Sequence, residues 1–422
     1  MARTRRQFIR DGAAAFVVSF AAPAFLSDVA RAQGARSRNL VVVYLGGGND
    51  SLNTVVPYQD QYYYSRRQTI AVPPGQVLQI GQDSGGNQLG LHPRLTGLYG
   101  IFNEGRLALI QRTGYTGSSR SHFQGLDIWS TAKPSDPTTT GWLGRYLETV
   151  QPRHGLCGWC TTREVPRALL RNLAASPDGL GARASRCESP NGVAEGLNER
   201  NAATRIASRL AVGRPHLAFV NAVATSAFET LDLVAQVASY VPTVAYPVND
   251  NGFGFALQTV AGSIVRNTGT RVYWVQTGGY DTHASQGAQG GAFYGNLMGT
   301  LNNGLTAFYN DLRNHGLLGD TLILQFSEFG RRIAENGSGG TDHGAAAVMM
   351  AIGGAVRGGG YGTAPSLNNT DSSNPTLESN GGDVRHETDF RAVYARVLDG
   401  WLGANSTAIL GGDFRSGAPP IV

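Results

Sequence analysis

Acidic, histidine and serine residues lie beside most of the short apolar runs in this 422-residue chain. They follow such a run or, near residue 342, precede one: Asp50, Ser121, His122, Asp281, His283, Glu328, Asp342 and His343. If the runs are parallel strands, right-handed crossovers bring their carboxyl ends to one edge of the sheet, where ligands of open α/β sheets bind. The pattern therefore predicts a functional site at that edge.

Carboxylates gathered at one edge would repel one another, or stay protonated, unless a cation lay among them. Zn²⁺ accepts mixed imidazole and carboxylate ligands, and two ions roughly 3.5–4 Å apart can hold the attacking and leaving oxygens of a phosphoryl-type transfer. Mn²⁺ or Mg²⁺ suits a more carboxylate-rich site. We therefore expect one or two divalent ions, Zn²⁺ or Mn²⁺. The expected ligands are Asp50, Asp281, His283, Glu328, Asp342 and His343.

Ser121 is the favoured nucleophile, and we assign Ser121 and His122 as the catalytic residues. The role of His122 stays open between a metal ligand, a group behind a ligand and an oxyanion contact. Ser121 stands at a predicted helix start, where the dipole and the backbone amides favour an alkoxide and a bound oxyanion. Serine is also a common N-cap, so a purely structural role stays open. Ser51 beside Asp50 is a competing nucleophile. Arg120 either binds a substrate phosphate or sulfate or has a surface role.

Strand and helix patterns alternate along the chain. Six apolar runs predict buried parallel strands at residues 39–45, 107–112, 216–222, 271–276, 321–326 and 347–353. Helical patterns lie at 199–212, 226–240, 293–314 and 389–402, the last with Thr388 as its expected N-cap. This alternation predicts a three-layer α/β/α sandwich with a mostly parallel central sheet.

The first 32 residues have the layout of an export signal. Arg5 and Arg6 precede the apolar stretch GAAAFVVSFAAPAFL, and Ala30, Arg31 and Ala32 fit an A-x-A cleavage site. The apolar stretch is too short for a comfortable membrane span. We expect a protein that the twin-arginine machinery exports folded to the periplasm or beyond, with no stable membrane span.

The remainder, residues 33–422, is expected to form a single domain. Subtracting the five arginines and two acids of the first 32 residues from totals of 35 and 30 leaves 30 basic and 28 acidic residues. This near balance leaves no excess of positive charge of the kind that binds nucleic acid. Irregular insertions are expected near 151–198 and 357–383, the second an exposed, glycine-rich loop that is a candidate lid over the site.

Three cysteines occur in the chain: Cys157, Cys160 and Cys187. In an oxidising compartment a disulfide between two of them is the default expectation, with one thiol left over. A C-x-x-C redox motif is the alternative for CGWC, but no thioredoxin-like βαβ context surrounds it.

Five motifs resemble the twin-arginine-exported bacterial family called domain of unknown function 1501. They are LGGGNDSLNTVVPY, SHFQGLDIW, GGYDTH, EFGRRIAENGSGGTDHG and TDFRAVYARVL, spread over nearly all of the mature chain. That family is similar to the alkaline-phosphatase-like superfamily, which includes sulfatases and cofactor-independent phosphoglycerate mutases. The resemblance implies an α/β/α sandwich with a two-metal site and a hydroxyl or formylglycine nucleophile. The sulfatase signature C-x-P-x-R is absent, so a formylglycine enzyme is not expected.

The resemblance also implies roles for individual residues. Asp50 matches the superfamily's aspartate after the first strand, and Ser121 falls where the nucleophile begins a helix. Asp281 and His283 resemble its Asp-and-His metal pair, although the gap between them is shorter here.

The stretch 326–344 can be aligned with the superfamily's motifs in two registers. In the first, TDHG is its Asp-His-Gly, Asp342 and His343 bind one metal, and His386 completes the other. In the second, the strand TLILQF leads into the ligand positions and TDHG supplies the final histidine. We favour the second registration because an apolar strand directly precedes Glu328. Phe329 then stands at a ligand histidine position, which would leave one metal site incomplete.

These residues predict an exported metal-dependent hydrolase of phosphate or sulfate esters, acting on a small-molecule or glycan ester. The alternative is a non-catalytic periplasmic binding or envelope-associated protein on the same scaffold, which the Phe329 departure favours. A serine hydrolase of the α/β-hydrolase type is not indicated, because no G-x-S-x-G elbow occurs.

Overall fold

An eight-stranded sheet forms the centre of the compact unit Asn39–Val422. The computed structural model describes residues 38–150, 157–162, 164–171, 232–287 and 292–422, with six further positions between 198 and 221. The expected export signal, the helix at 199–212 and the strand at 216–222 lie outside the described residues, apart from isolated positions. The described residues contain no helix long and apolar enough to cross a bilayer.

The central sheet has the strand order β12-β5-β11-β8-β1-β7-β6, with β13 also paired to β5. Its strands are β1 (Asn39–Leu45), β5 (Leu107–Gly114), β6 (Gly158–Cys160), β7 (Val272–Thr277), β8 (Thr321–Phe326), β11 (Ala347–Ile352), β12 (Gly359–Tyr361) and β13 (Thr388–Asp389). All but one of these strands run in the same direction, which confirms the mostly parallel sheet.

Strand β11 runs antiparallel to both β5 and β8, so the prediction of a parallel strand at 347–353 was wrong. The reason is the connection between β8 and β11, which contains a hairpin and no crossover helix. A chain that returns without a crossover pairs antiparallel with the strand it left. The reversal places the beginning of β11 at the same edge as the carboxyl ends of the other strands.

Helices cover both faces of the sheet. The helices whose bounds lie in the described part of the chain are α1 (Ser51–Thr54), α2 (Gln61–Arg66), α3 (Thr96–Asn103), α4 (His122–Thr131), α5 (Trp142–Thr149), α6 (Phe253–Val265), α7 (Ala292–Asn314), α8 (Phe390–Arg396) and α9 (Ser406–Leu410). Helices α1 and α2 pack in a separate, third core cluster. The predicted helix at 293–314 is confirmed as α7, and residues 232–238 within the predicted 226–240 are helical. The predicted helix at 389–402 is confirmed as α8 with a π-helical turn, Val397–Trp401.

Strand β1 shows why two helical layers form. Its residues are all buried, and side chains alternate between the two faces of the sheet. Val41, Val43 and Leu45 pack in the core with α3, α6 and α7. Leu40, Val42 and Tyr44 pack in the core with α4, α5, α8 and α9. A strand buried on both faces needs a helical layer on each, and this confirms the three-layer sandwich.

Two smaller sheets lie beside the central one. Strands β2 (Val55–Val56), β3 (Leu78–Gln82) and β4 (Gln88–Leu91) form a three-stranded antiparallel sheet. Strands β9 (Arg331–Glu335) and β10 (Thr341–His343) form the hairpin within the β8–β11 connection. This hairpin carries several residues of the candidate site.

Two local predictions were wrong. The N-cap of α8 is Asp389, whose side chain accepts from the Arg391 amide, and Thr388 lies in β13. The segment 357–383 is not simply an exposed loop, because it contributes β12 to the sheet and buries Leu367 and Leu377 in a third core cluster. The high glycine content of the segment suggested an exposed loop, but its two leucine side chains are buried.

The cysteine prediction was also wrong where the structure tests it. Cys157 and Cys160 are both buried free thiols, and burial raises the pKa of the Cys160 thiol. Cys187 lies outside the described residues.

Candidate metal centre

The carboxyl edge of the sheet brings four chain segments together. Strand β1 leads into the glycines before Asp50, and β5 leads to α4, which begins at His122. Strand β7 leads to Asp281, and β8 leads to Glu328. The β9–β10 hairpin adds His343 from the same edge.

Three side chains converge closely enough to hold one metal ion: His122, Asp281 and His343. One ligand atom from each lies within 4.8 Å of the others. The His343 Nε2 atom is 3.0 Å from Asp281 Oδ1, and the His122 Nε2 atom is 3.3 Å from Asp281 Oδ2. Two imidazole nitrogens and a carboxylate form a donor set that suits Zn²⁺.

Both histidines are oriented by acceptors on their far side. The His343 Nδ1 atom donates to the Arg120 carbonyl at 2.8 Å. The His122 Nδ1 atom lies 2.7 Å from Glu328 Oε1, which acts as its acceptor. An imidazole that donates through Nδ1 presents the lone pair of Nε2 to the centre, as metal-binding histidines do. His122 Nε2 is buried and has no hydrogen-bond partner, which leaves it available for an ion.

Glu328 lies behind His122 and is not one of the three converging residues. It is fully buried, and its Oε1 also accepts from the Gly47 amide at 2.9 Å. The Ser327 hydroxyl lies 3.0 Å from Oε2. Both carboxylate oxygens are thus engaged, so the structure gives Glu328 the place of a group that orients a ligand. The prediction that it binds the metal directly is not what this geometry shows.

A buried guanidinium, that of Arg331, binds Asp281 on the protein side of the centre. The Arg331 Nη2 atom is 2.6 Å from Asp281 Oδ1, and the Arg331 side chain has no exposed surface. Burial raises the pKa of Asp281, but hydrogen bonds from Arg331 and His343 outweigh burial and lower that pKa to about 2. Asp281 therefore stays ionised at any physiological pH, as a metal ligand must.

His283 and Asp342 lie on the open side of the centre. The His283 Nε2 atom is 2.9 Å from His343 Nε2 and 3.1 Å from Asp281 Oδ1. The His283 Nδ1 atom is 3.3 Å from Asp342 Oδ1. A hydrogen bond from Asn336 lowers the pKa of Asp342, and His283 lowers it further. His283 is thus placed to become a fourth ligand, with Asp342 orienting it.

Asp50 is held in a buried ion pair and does not join the centre. Its Oδ2 accepts from Arg67 and from Gln286, both at 2.6 Å, and the Asp50 and Arg67 side chains have no exposed surface. Ser51, the competing nucleophile, accepts from the Val348 amide through its Oγ at 2.8 Å. His386 is half-buried, and burial lowers its pKa. Neither Asp50 nor His386 is in the metal-binding group of the described residues.

Ser121 is the N-cap position of α4, but its side chain makes no capping hydrogen bond. It is exposed, and it lies between Arg120 and His122, both of which contact the centre. The Arg120 guanidinium is not free for a substrate anion, because it binds Glu378 and Asp383. The suggested oxyanion role of Arg120 is therefore not supported, and its side chain ties the segment 357–383 to the rim of the centre.

Phe329 packs against the rings of both histidines. Its ring centroid is 4.9 Å from that of His122 and 4.7 Å from that of His343, and the side chain is fully buried. The ring supplies an apolar wall where a third imidazole would stand in the favoured registration. Gly48, at φ +71°, must be glycine, because a Cβ there would lie 2.3 Å from the Phe329 ring.

Arg331 is the site residue that sequence reasoning missed. Its guanidinium donates to the carbonyls of Gly48, Thr341, Tyr280 and Gly47 as well as to Asp281. It thereby joins the loops after β1 and β7 to the hairpin. The only sequence signal was its place in the motif EFGRR, which shows nothing about which of two adjacent arginines points inward.

Together the fold and site define an α/β/α sandwich with a candidate metal centre at the carboxyl edge of its sheet. The chain matches the family described as Protein of unknown function (DUF1501) over residues 109–409. It belongs to that family, as the motifs indicated.

Comparison with solved structures finds similar chains at low sequence identity. They include Ps i-CgsB in complex with k-i-k-neocarrahexaose, at 11% identity and TM-score 0.35, covering 88% of this chain and 77% of that one. The PsFucS1 sulfatase from Pseudoalteromonas sp. is 13% identical with TM-score 0.34, covering 91% and 70%. The C-terminal periplasmic domain of EcEptC from Escherichia coli, complexed with Zn, is 10% identical with TM-score 0.29, covering 75% and 73%. Curated proteins give no sequence match. At these values the likeness carries no argument about fold or activity.

Proposed function

We propose that this protein is an exported metal-dependent hydrolase of phosphate or sulfate esters. The observation that supports the proposal most is the convergence of His122, Asp281 and His343 at the carboxyl edge of the sheet. A divalent ion bound there would act as a Lewis acid toward an ester oxygen. We propose Zn²⁺ or Mn²⁺, with the imidazole-rich donor set favouring Zn²⁺.

The chain's own residues have separable tasks in this proposal. His122, His343 and Asp281 hold the ion, His283 closes the site from the open side, and Glu328 keeps His122 in the tautomer that binds. Ser121 is the proposed nucleophile, because its hydroxyl is exposed beside His122 and makes no capping bond. The amides of the first turn of α4 lie where they can stabilise an anionic oxygen.

The expected substrate is a small-molecule or glycan ester, and the expected localisation is periplasmic or secreted. The localisation depends on the twin-arginine pattern of residues 1–32. The open side of the centre supports access from solvent, since the Asp281 and His283 side chains are each 45% exposed.

The alternative function is binding without catalysis, and Phe329 favours it. A phenyl ring that packs against both histidines, at a position where the favoured registration expects a ligand, leaves that position without a donor. A protein that had lost catalysis would retain the scaffold and the open centre while binding a ligand or an envelope partner.

Metal content and turnover together test the proposal. Mass spectrometry should find near-stoichiometric Zn or Mn in protein exported through its own signal, and the ion should be absent from the Asp281→Ala/Asp342→Ala variant. The metal-loaded wild type should then hydrolyse members of a panel of phosphate and sulfate esters, and Ser121→Ala should remove this activity while retaining the ion.

A folded wild type that stays metal-free when Zn²⁺ and Mn²⁺ are supplied would exclude the hydrolase. A loaded wild type that turns over no ester would leave the binding function.

A further inference from the structure

Two carboxylates at the carboxyl edge already have a guanidinium as their cationic partner. Asp50 binds Arg67 and Asp281 binds Arg331, each with a nitrogen–oxygen distance of 2.6 Å. All of these side chains except Asp281 have no exposed surface. These are the two aspartates that follow β1 and β7, where the sequence predicted metal ligands.

The Asp50 pair is closed to a metal ion. Arg67 also donates to Asn53 and to the carbonyls of Ile333 and Arg332, so its position is fixed on every side. An ion beside Asp50 would face this buried positive charge at close range and in a low dielectric. Asp50 Oδ1 has no hydrogen-bond partner, but within the described part of the chain Asp50 belongs to no metal-binding group.

Arg331 supplies a positive charge inside the centre itself. It contacts the same Asp281 Oδ1 that faces His343 and His283. Because four backbone carbonyls also hold the guanidinium, it cannot move aside for a second ion.

The charges of the residues that follow the strands and of their two arginine partners can be balanced by one divalent ion. Asp50, Asp281, Glu328 and Asp342 carry four negative charges when ionised. Arg67 and Arg331 supply two positive charges, and one divalent ion supplies the other two. A second divalent ion would leave an excess of positive charge beside the buried Arg67 and Arg331 guanidinium groups, which is unfavourable.

We infer that the centre binds a single divalent ion, held by His122, Asp281 and His343, while Arg67 and Arg331 take the place of further metal cations. The inference deepens the proposed function, because it depends on the centre being a metal site. Arg67 and Arg331 are positioning residues, and neither is expected to touch the substrate.

Metal stoichiometry of the full chain tests the inference without reference to activity. Chelator-stripped protein is titrated with Zn²⁺, freed of excess ion by gel filtration, and measured by mass spectrometry against protein concentration, with circular dichroism as the check on folding. We expect one ion per chain for the wild type and less than a tenth of an ion for Asp281→Asn.

The double variant Asp50→Asn/Arg67→Met removes both charges of the buried pair, so that no buried charge is left without its partner. It should still bind one ion per chain with an affinity within about threefold of the wild type. Loss of the ion in this folded variant, or two ions per wild-type chain, overturns the inference while leaving the hydrolase proposal in place. A folded wild type that binds none overturns both.

Discussion

At the scale of single residues, the candidate centre is arranged by groups that do not face the ion position themselves. Glu328 and the Arg120 carbonyl each accept from an Nδ1 atom, at 2.7 and 2.8 Å, and so turn two Nε2 atoms toward Asp281. Arg331 donates a hydrogen bond to Asp281 and so fixes the position of its carboxylate. Carboxylate partners of metal-binding histidines fix the ring and raise its basicity.

We predict that Glu328→Gln weakens Zn²⁺ binding by about 10- to 100-fold, the usual cost of losing such a partner. The amide retains the shape but not the charge that favours the Nδ1–H tautomer of His122. Competition with a fluorescent chelator measures the affinity. Glu104→Gln is the matched control, because Glu104 binds Tyr309 and Arg313 elsewhere and its loss should leave the affinity unchanged. Equal affinities for wild type and Glu328→Gln would contradict the assigned role.

A second residue-scale prediction concerns acid stability through His92. Burial, reinforced by the charge of Arg94, lowers the pKa of His92 to about 4 from 6.5. The unfolded chain therefore takes up this proton at a higher pH than the folded chain does. The contribution of His92 to the free energy of unfolding is complete above about pH 6.5 and falls by about 3 kcal/mol as the pH drops toward 4.

Urea unfolding of wild type and His92→Phe at pH 7, 6, 5 and 4 measures this effect. The wild type should lose more stability than the variant across that range, since phenylalanine cannot take up the proton. Parallel losses in the two proteins would show that His92 does not titrate as described.

At the scale of elements, the centre requires close approach between loops. The turn after β1 passes so near its neighbours that a Cβ on Gly47 would lie 2.4 Å from the Asp281 amide nitrogen. The β9–β10 hairpin brings Arg331 and His343 to the same place from the other side. Packing between segments distant in sequence thus explains Gly47 and Gly48 of LGGGND.

We predict that Gly48→Ala destabilises the protein much more than Gly117→Ala does. Both glycines have φ of +71°, but a Cβ on Gly117 meets nothing within 4 Å, whereas one on Gly48 meets the Phe329 ring. Gly117→Ala should cost about 1 to 2 kcal/mol for the left-handed backbone. Gly48→Ala should cost roughly 1 to 3 kcal/mol more, because it overpacks the wall of the centre.

Chemical denaturation of the two variants separates these costs, and Zn²⁺ titration shows whether the centre survives. Similar free energies of unfolding for Gly48→Ala and Gly117→Ala would mean that Phe329 does not constrain the turn.

At the scale of the whole molecule, the centre joins segments that no single element holds together. Ligand candidates come from the ends of β5 and β7 and from the hairpin between β8 and β11. An ion that binds them therefore cross-links the carboxyl edge of the sheet. Because the unfolded chain lacks this arrangement, binding free energy adds to folding free energy.

We predict that Zn²⁺ at about 100 times its dissociation constant raises the free energy of unfolding by about 2.7 kcal/mol. Asp281→Asn should show no such increase. Denaturation with and without added Zn²⁺, at fixed protein concentration, gives the comparison. An equal response in both proteins would indicate binding elsewhere on the chain.

The sequence alone determined the layered fold, because runs buried on both faces and the helices between them follow directly from local hydrophobic patterns. It also located the edge where acids and histidines gather, since residues after parallel strands must meet there. The sequence did not show that β11 runs antiparallel, because a hairpin connection leaves the apolar pattern of the strand unchanged. It also did not show that Asp389 rather than Thr388 caps α8, because a shift of one residue hardly changes the helical pattern.

Only the tertiary structure decided which of these residues converge at the candidate centre. Asp50 and Asp281 look alike in the sequence, yet Arg67 closes one into a buried pair while Arg331 supports the other at an open surface. His122 and Glu328 are 206 positions apart, so no local pattern could show that one orients the other. Side-chain partners across the sheet depend on how distant segments pack, and that information is spread over the whole chain.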